Sequence, residues 1–443
     1  MSSRTPRTPP VPAFVALAIV LLAVFGVWGS RTGRAGDVVL IVIDTLRADH
    51  VSSYGYARRT SPALDAFARD SVTYANAISP GTWTVPAHGS LFTGRWPSFH
   101  GAERVPGARN LATPLNPEVP TLAELLSAAG FRTAAFVANS AYVSRVLGFD
   151  RGFAEFFDHN LNVATDVENA VRAWLPRDQR LFLFLNVLDP HEPYEPPPPF
   201  DQRFPGKRPE LGTMMTVLVY GGTPVTSDLQ AHFVSQYDGE IAFADESLGR
   251  ILRELKRAGR YDGALIVVTS DHGELLGEHG LAGHGFAPYE QLLHVPLVVK
   301  LPQQHRRGER VDRRVSTMSV FPAILAAAGV APPSGAQARP LDDAAQPVWM
   351  EDVSYGGDRV RVGYDGSRKL VVRVSPASTR TAAVYDLARD PTESEPDSDA
   401  AAGEPLRAAL AAFAAAPRPT NPRHASVIDP EREAKLRALG YVE

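Results

Sequence analysis

The chain has 443 residues, 44% hydrophobic and 21% charged, with 49 acidic against 45 basic side chains and no cysteine. Such a balance suits a globular protein with room for one large domain and a smaller one, and it excludes a disulfide-stapled scaffold. The net charge of −4 argues against a polyanion groove, so nucleic acid is not an expected partner.

The first predicted element is the uncharged run 11–29, just long enough to cross a bilayer, with Arg4 and Arg7 before it and Arg31 and Arg34 after. A cleaved signal and a single-pass anchor both fit. No small-x-small cleavage site follows, so the anchor is favoured, with Trp28 at the interface and the rest of the chain outside the cytoplasm, periplasmic or extracellular. Cleavage would make the protein secreted.

Val38-Val39-Leu40-Ile41-Val42-Ile43 is a continuous apolar strand of the doubly covered parallel kind, and it ends in Asp44. The stretch 81–95 is rich in hydroxyls, and Thr84 within it is either a helix N-cap or a nucleophile. Thr121-Leu122-Ala123-Glu124 reads as a capping box, opening a helix that Gly130 closes before a strand over 133–137. Another buried strand over 181–188 runs into Asp189-Pro190-His191, and the irregular 202–227 is a candidate lid or an insertion.

Residues 237–258 carry Ile241, Ala244, Leu248, Ile251, Leu252 and Leu255 at helical spacing, with Lys256-Arg257 late and Gly259 as stop. The strand 264–268 then delivers Thr269-Ser270-Asp271-His272-Gly273-Glu274. An Asp-His pair at a strand end offers the hard oxygen and borderline nitrogen that a divalent ion accepts, although alone it reads equally as a turn residue and a cap. Past Pro332 come short runs, 347–350, 359–364, 369–374 and 383–387, then an alanine-rich helix over 400–416. Strand, polar loop and helix alternate before that point, which is the βαβ pattern. The predicted organisation is 1–36 as cytoplasmic tip and membrane or signal segment, 37–332 as an α/β domain with a large mostly parallel sheet between helices, and 333–443 as a small antiparallel subdomain with a terminal helix.

Taken in order, these strings resemble the sulfatase family of the alkaline phosphatase superfamily, from about Val38 to Pro391. Asp44 is similar to the family's first metal strand. Thr84, with Leu91-Phe92-Thr93-Gly94, is similar to its signature segment. Asp189-Pro190-His191-Glu192-Pro193-Tyr194 looks like its Asp-Pro-His-x-Pro-Tyr segment. Asp271-His272 with Gly277-Glu278-His279-Gly280 resembles the second metal strand, and Tyr385-Asp386-Leu387 the C-terminal signature. The resemblance implies an alkaline phosphatase/sulfatase-like sandwich and one divalent ion (Ca, Mn, Zn or Mg) on Asp44, Thr84, Asp271 and His272.

The departures shape the expected chemistry. With Thr84 at the signature position and no cysteine, formylglycine is not expected. A threonine ester lacks the second hydroxyl that lets a formylglycine hydrate expel sulfate, so the chemistry leans to phosphoryl transfer. Thr45 replaces the family's second acid or amide, His88 its signature Arg, and Ala138-Asn139-Ser140 its Lys-x-His segment. Substrate contact is therefore assigned to His191, His88 and His284, each of which reads alternatively as a structural histidine. His284 stands near the place of a substrate-binding Lys in relatives. In the expected mechanism Thr84, made more acidic by the ion, attacks phosphorus or sulfur in line, His191 neutralises the equatorial oxygens, and His284 or His88 protonates the leaving group. The expected function is hydrolysis of a small-molecule, glycan or lipid-headgroup ester of sulfate or phosphate. The alternatives are a phosphoglycerol- or phosphoethanolamine-type headgroup transferase and an inactive anion-binding domain.

Overall fold

The computed structural model describes residues 36–415 except 109–110, 177, 212–224, 344–347, 355, 376–377 and 398–402. Run 11–29 lies outside them, and among the described residues no helix is long and apolar enough to cross a membrane.

Alternation within apolar strands builds the central sheet. In β1 (Val38–Ile43), Val38, Leu40 and Val42 enter one hydrophobic cluster while Val39, Ile41 and Ile43 enter another on the opposite face. Both faces are thus buried, as a continuous apolar run requires. The same sheet contains β2 (Val72–Ile78), β3 (Arg132–Val137), β4 (Glu155–Phe157), β5 (Leu181–Val187) and β6 (Leu265–Thr269). A two-residue ribbon, β7 (Leu275–Leu276) with β8 (Ala282–Gly283), precedes β9 (His294–Lys300) and β10 (Arg310–Ser316). The eight strands of the large sheet run in the order β10-β2-β9-β6-β1-β5-β3-β4. All neighbours pair in parallel except β9, which is antiparallel to both β2 and β6.

Helices α1 (Pro62–Ala68), α2 (Thr84–Thr93), α3 (Leu122–Ala128), α4 (Ala164–Trp174), α5 (Ser227–Arg257) and α6 (Val320–Ala328) divide between the faces. Leu91, Phe92, Leu126 and Phe321 bring α2, α3 and α6 to one face, whereas Phe67, Val167 and Ile241 bring α1, α4 and α5 to the other. The capping box forms as the sequence predicts: the Thr121 hydroxyl accepts Glu124 N–H at 3.2 Å and Glu124 Oε2 accepts Thr121 N–H at 2.8 Å.

Helix α5 begins at Ser227, well before the predicted 237, with Thr226 as N-cap. The extra turns continue the apolar stripe through Leu229 and Phe233, which join the cluster of Ile241, and they also bury polar groups: Ser235 Oγ donates to Phe204 O at 2.9 Å and Gln236 Nε2 to Asp201 O at 3.2 Å. These bonds tie the start of the predicted lid, 202–211, to the helix; much of the remainder lies outside the described residues.

Strands β11 (Val348–Val353), β12 (Arg359–Asp365), β13 (Arg368–Val374) and β14 (Thr379–Asp386) form the predicted small antiparallel sheet, followed by α7 (Glu404–Ala415). It is welded to the larger sheet through Ile78 and Leu293, which pack with Val348, Met350, Val362 and Tyr364.

Candidate active site

Parallel pairing sets the positions of the two acids. Val42 of β1 is level with Thr269 of β6, so Asp44 and Asp271, each two residues further on, emerge together at the carboxyl edge where open α/β sheets collect ligands. One ligand atom from each of Asp44, Asp271 and His272 lies within 4.8 Å of the others, and all three residues are fully buried. His272 Nδ1–H donates to Gly273 O at 2.9 Å, which leaves the Nε2 lone pair facing Asp271 Oδ2 at 3.4 Å and Asp44 Oδ1 at 3.7 Å.

Thr84 joins them from the first turn of α2. Trp83 is the N-cap residue and makes no side-chain cap bond, so the Thr84 hydroxyl is not a cap. Its Oγ1 lies 3.4 Å from His272 Nε2 and accepts Asn139 Nδ2–H at 3.3 Å. The same Asn139 amide donates to Asp44 Oδ2 at 2.8 Å.

Asp44 Oδ1 and Asp271 Oδ2 are buried and find no hydrogen-bond partner among the described residues. Burial works to raise Asp44, but His191, His272 and the Asn139 bond hold its carboxyl below the usual range. Burial, and then the charge of Asp44, push Asp271 well above it. Two facing carboxylates cannot both ionise cheaply in a dry site unless a cation lies between them. Paired orphan oxygens and an imidazole lone pair aimed at the same point fit a divalent ion.

The three other predicted histidines occupy different depths. His191 and His284 stand beside the acids, with the His284 ring 4.6 Å from that of His272 and 5.0 Å from that of His191. His284 Nδ1 is 3.0 Å from Glu274 Oε1, and His191 Nδ1–H donates to Glu192 O at 2.6 Å. Burial, and then His191, hold His284 well below the ordinary histidine range. His88 is fully buried among Phe92, Phe149 and Phe184. Its Nδ1–H donates to Thr84 O at 2.9 Å and lies 3.4 Å from Asp271 Oδ2.

The strand-to-helix loop that presents Thr84 is held from the small sheet. Asp352 of β11 accepts Thr82 N–H and Trp83 Nε1–H, each at 3.1 Å, and also the Thr82 hydroxyl. Arg104 lies 4.3 Å over the Trp83 ring and donates to Gly285 O at 2.9 Å, beside His284. Thr45 sits at φ 55, a conformation strained for a β-branched residue, with its N–H 3.3 Å from Asp271 Oδ1 and its carbonyl accepting Tyr237 O–H at 2.6 Å. Asp352 and Arg104 did not stand out in the sequence, and Asn139 did so only within Ala138-Asn139-Ser140, with no role assigned to it. Asn139 follows the end of β3, and its place on that carboxyl edge is the one signal that could have found it.

Fold and site together define an α/β architecture with a candidate Asp/Asp/His metal site at the carboxyl edge of its large sheet. A model of the sulfatase family matches residues 36–330, and the chain belongs to that family. It is 24% identical over 340 residues to an ulvan-active sulfatase of Formosa agariphila, covering 69% of this chain and 64% of that one. To human N-sulphoglucosamine sulphohydrolase it is 28% identical over 296 residues, covering 62% and 57%. The matched parts thus span under two thirds of these relatives' lengths. Among solved structures, the phosphonate monoester hydrolase of Agrobacterium radiobacter superposes with a TM-score of 0.69 at 21% identity, covering 86% of this chain and 94% of that one. A structure in complex with D-glucosamine-2-N,6-O-disulfate superposes with a TM-score of 0.68 at 16% identity, covering 85% and 96%. At such identities these structures speak for the fold.

Proposed function

We propose that the chain is a cation-dependent hydrolase of sulfate or phosphate esters in which Thr84 is the nucleophile, with a leaning to phosphoryl chemistry. The observation that carries this reading is the convergence of the Thr84 hydroxyl with Asp44, Asp271 and His272 around two orphan carboxylate oxygens. A divalent ion bound there supplies positive charge that favours the ionised hydroxyl and the developing negative charge on the ester oxygens.

The chain's own groups do the rest. Asn139 donates to both Asp44 and Thr84, so one amide aligns ligand and nucleophile and stabilises the oxygen as it loses its proton. His191 and His284 take the ester oxygens and the leaving group in this reading, which their rings' closeness to each other and to His272 supports. The contact with Glu274 orients the His284 ring by engaging its Nδ1. What supports a holding part for His88, instead of contact with substrate, is its complete burial behind Thr84 and its bond to the Thr84 carbonyl.

The leaning to phosphorus rests on the chemistry of the threonine ester, which must be resolved by attack of water on the esterified group. Relatives that are sulfatases and neighbours that are phosphonate monoester hydrolases are consistent with either ester. Quenching the protein during turnover of 4-nitrophenyl phosphate and of 4-nitrophenyl sulfate, then mapping adducts by mass, tests the proposal. Phosphate on Thr84 is expected; a sulfated Thr84 would reverse the preference, and an adduct elsewhere would remove Thr84 from the mechanism.

A further inference from the structure

A cavity of about 380 Å³ opens where the loop Ala287-Pro288-Tyr289 meets strands β13 and β14 of the small sheet. Two of its lining residues, Arg373 and Arg380, are directly opposite each other in the antiparallel ladder. Like charges placed so repel, and among the described residues no acid pairs with either guanidinium. Elsewhere on the same sheet arginines are matched: Arg359 with Glu103, Arg361 with Glu351, Arg368 with Asp397. The carboxylate in the lining, Glu393, is engaged by Lys369 Nζ at 2.6 Å and accepts Glu290 N–H at 2.6 Å.

Aromatic walls complete the cavity. Tyr289 is stacked on His279 with ring centroids 3.6 Å apart, and Tyr385 is buried. Paired guanidiniums with ten N–H donors between them match an oxyanion bidentately, while the half-buried Tyr289 gives the cavity wall an amphipathic ring. The site lies near the chemistry, because Ala287 is three residues from His284 and the chain between them spans at most about 11 Å.

We propose that this cavity is an accessory subsite for a second anionic group of an acidic oligosaccharide whose reacting ester lies at Thr84. This assignment of substrate class rests on the hydrolase reading above. The anion is a sulfate, phosphate or carboxylate on a neighbouring sugar, and it neutralises the Arg373–Arg380 repulsion.

The test uses the full chain with a heparin-derived tetrasaccharide as probe, its affinity measured by calorimetry, alongside kcat/KM on 4-nitrophenyl phosphate and sulfate. Replacing both Arg373→Gln and Arg380→Gln is expected to weaken tetrasaccharide binding at least tenfold, while kcat/KM on the small esters stays within twofold. Arg253→Gln, an exposed change on α5, is expected to leave binding unaltered. The proposal is overturned if the parent protein does not bind the tetrasaccharide, if the double variant binds as tightly, or if Arg253→Gln weakens binding equally. Arginine-dependent binding without turnover of any ester would support the subsite and count against the hydrolase reading. Turnover without such binding would do the reverse.

Discussion

Replacing Asp352 with alanine should both destabilise the protein and slow it, although Asp352 is far from Thr84 in the chain. Its carboxylate is buried and accepts Thr82 N–H, the Thr82 hydroxyl and Trp83 Nε1–H. Truncation leaves the Thr82 amide and the indole as buried donors without partners, each costing about 1–3 kcal/mol, while the hydroxyl can rotate. An opposing effect is that burial, against the pull of Arg104, already raises the Asp352 pKa, so removing the carboxyl also removes an unfavourable desolvation. The net loss should be about 2–4 kcal/mol. Because Thr84 follows Trp83 directly, a slackened loop also displaces the hydroxyl, and a misplacement of about 1 Å is worth about 100-fold in rate. Urea denaturation read by tryptophan fluorescence and kcat on 4-nitrophenyl phosphate at saturating cation measure the two effects. Asp352→Asn keeps one acceptor and should fall between the parent and the alanine variant. If Asp352→Ala keeps its midpoint and a kcat within twofold of the parent, the small sheet does not hold the nucleophile.

Thr84→Ala is expected to abolish turnover with the circular dichroism spectrum and melting temperature unchanged, and unaltered rates would exclude Thr84 as nucleophile. Asn139→Ala removes a donor to both Asp44 and Thr84; a charge-assisted bond of about 1.5–3 kcal/mol predicts kcat lower by about 10- to 100-fold, checked by steady-state kinetics at saturating cation. Adding Mn²⁺, Zn²⁺ or Ca²⁺ to chelator-treated protein should raise the melting temperature, with about 2.7 kcal/mol of stabilisation at a hundredfold excess over Kd, and Asp271→Ala should lose that response. A melting temperature indifferent to every cation would argue against the Asp/Asp/His site. Burial, against hydrogen bonds from Ala63 N and Leu64 N, raises Asp245 to about 7. The folded form therefore holds this proton more tightly than the unfolded one, so the contribution to stability is greatest at low pH, declines as pH rises from about 4 to 7 and is flat above. At about 1.4 kcal/mol per pH unit the whole decline is about 4 kcal/mol at most, and Asp245→Asn should remove it from a denaturation series across that range.

The acids and His272 were legible because each follows an apolar strand, and strand ends of a parallel sheet open on one edge. Thr84 was legible only as a choice between cap and nucleophile; the structure hands the cap position to Trp83 and turns the hydroxyl toward His272. His88 was assigned to substrate because it stands where the family's signature arginine would, and the structure packs it against three phenylalanine rings; helical spacing alone does not say which face of α2 meets the sheet. Asn139 stood in the sequence only as part of a departure from the family's Lys-x-His segment, since its partners Asp44 and Thr84 lie in other parts of the chain. The facing of Arg373 and Arg380 was invisible for a related reason: a hairpin's register makes them neighbours.

Local chemistry along the chain, namely apolar runs, caps and the acids that end strands, determined the strand and helix layout and singled out Asp44, Asp271 and His272 as candidate ligands. Those features depend on backbone geometry and solvent preference over a few residues, which sequence carries directly. Tertiary packing decided which distant side chains touch: Asn139 against Asp44, Asp352 against Trp83, His284 against Glu274. Contacts of that kind depend on register and crossover between strands remote in sequence, so they exist only once the sheet has closed around the site.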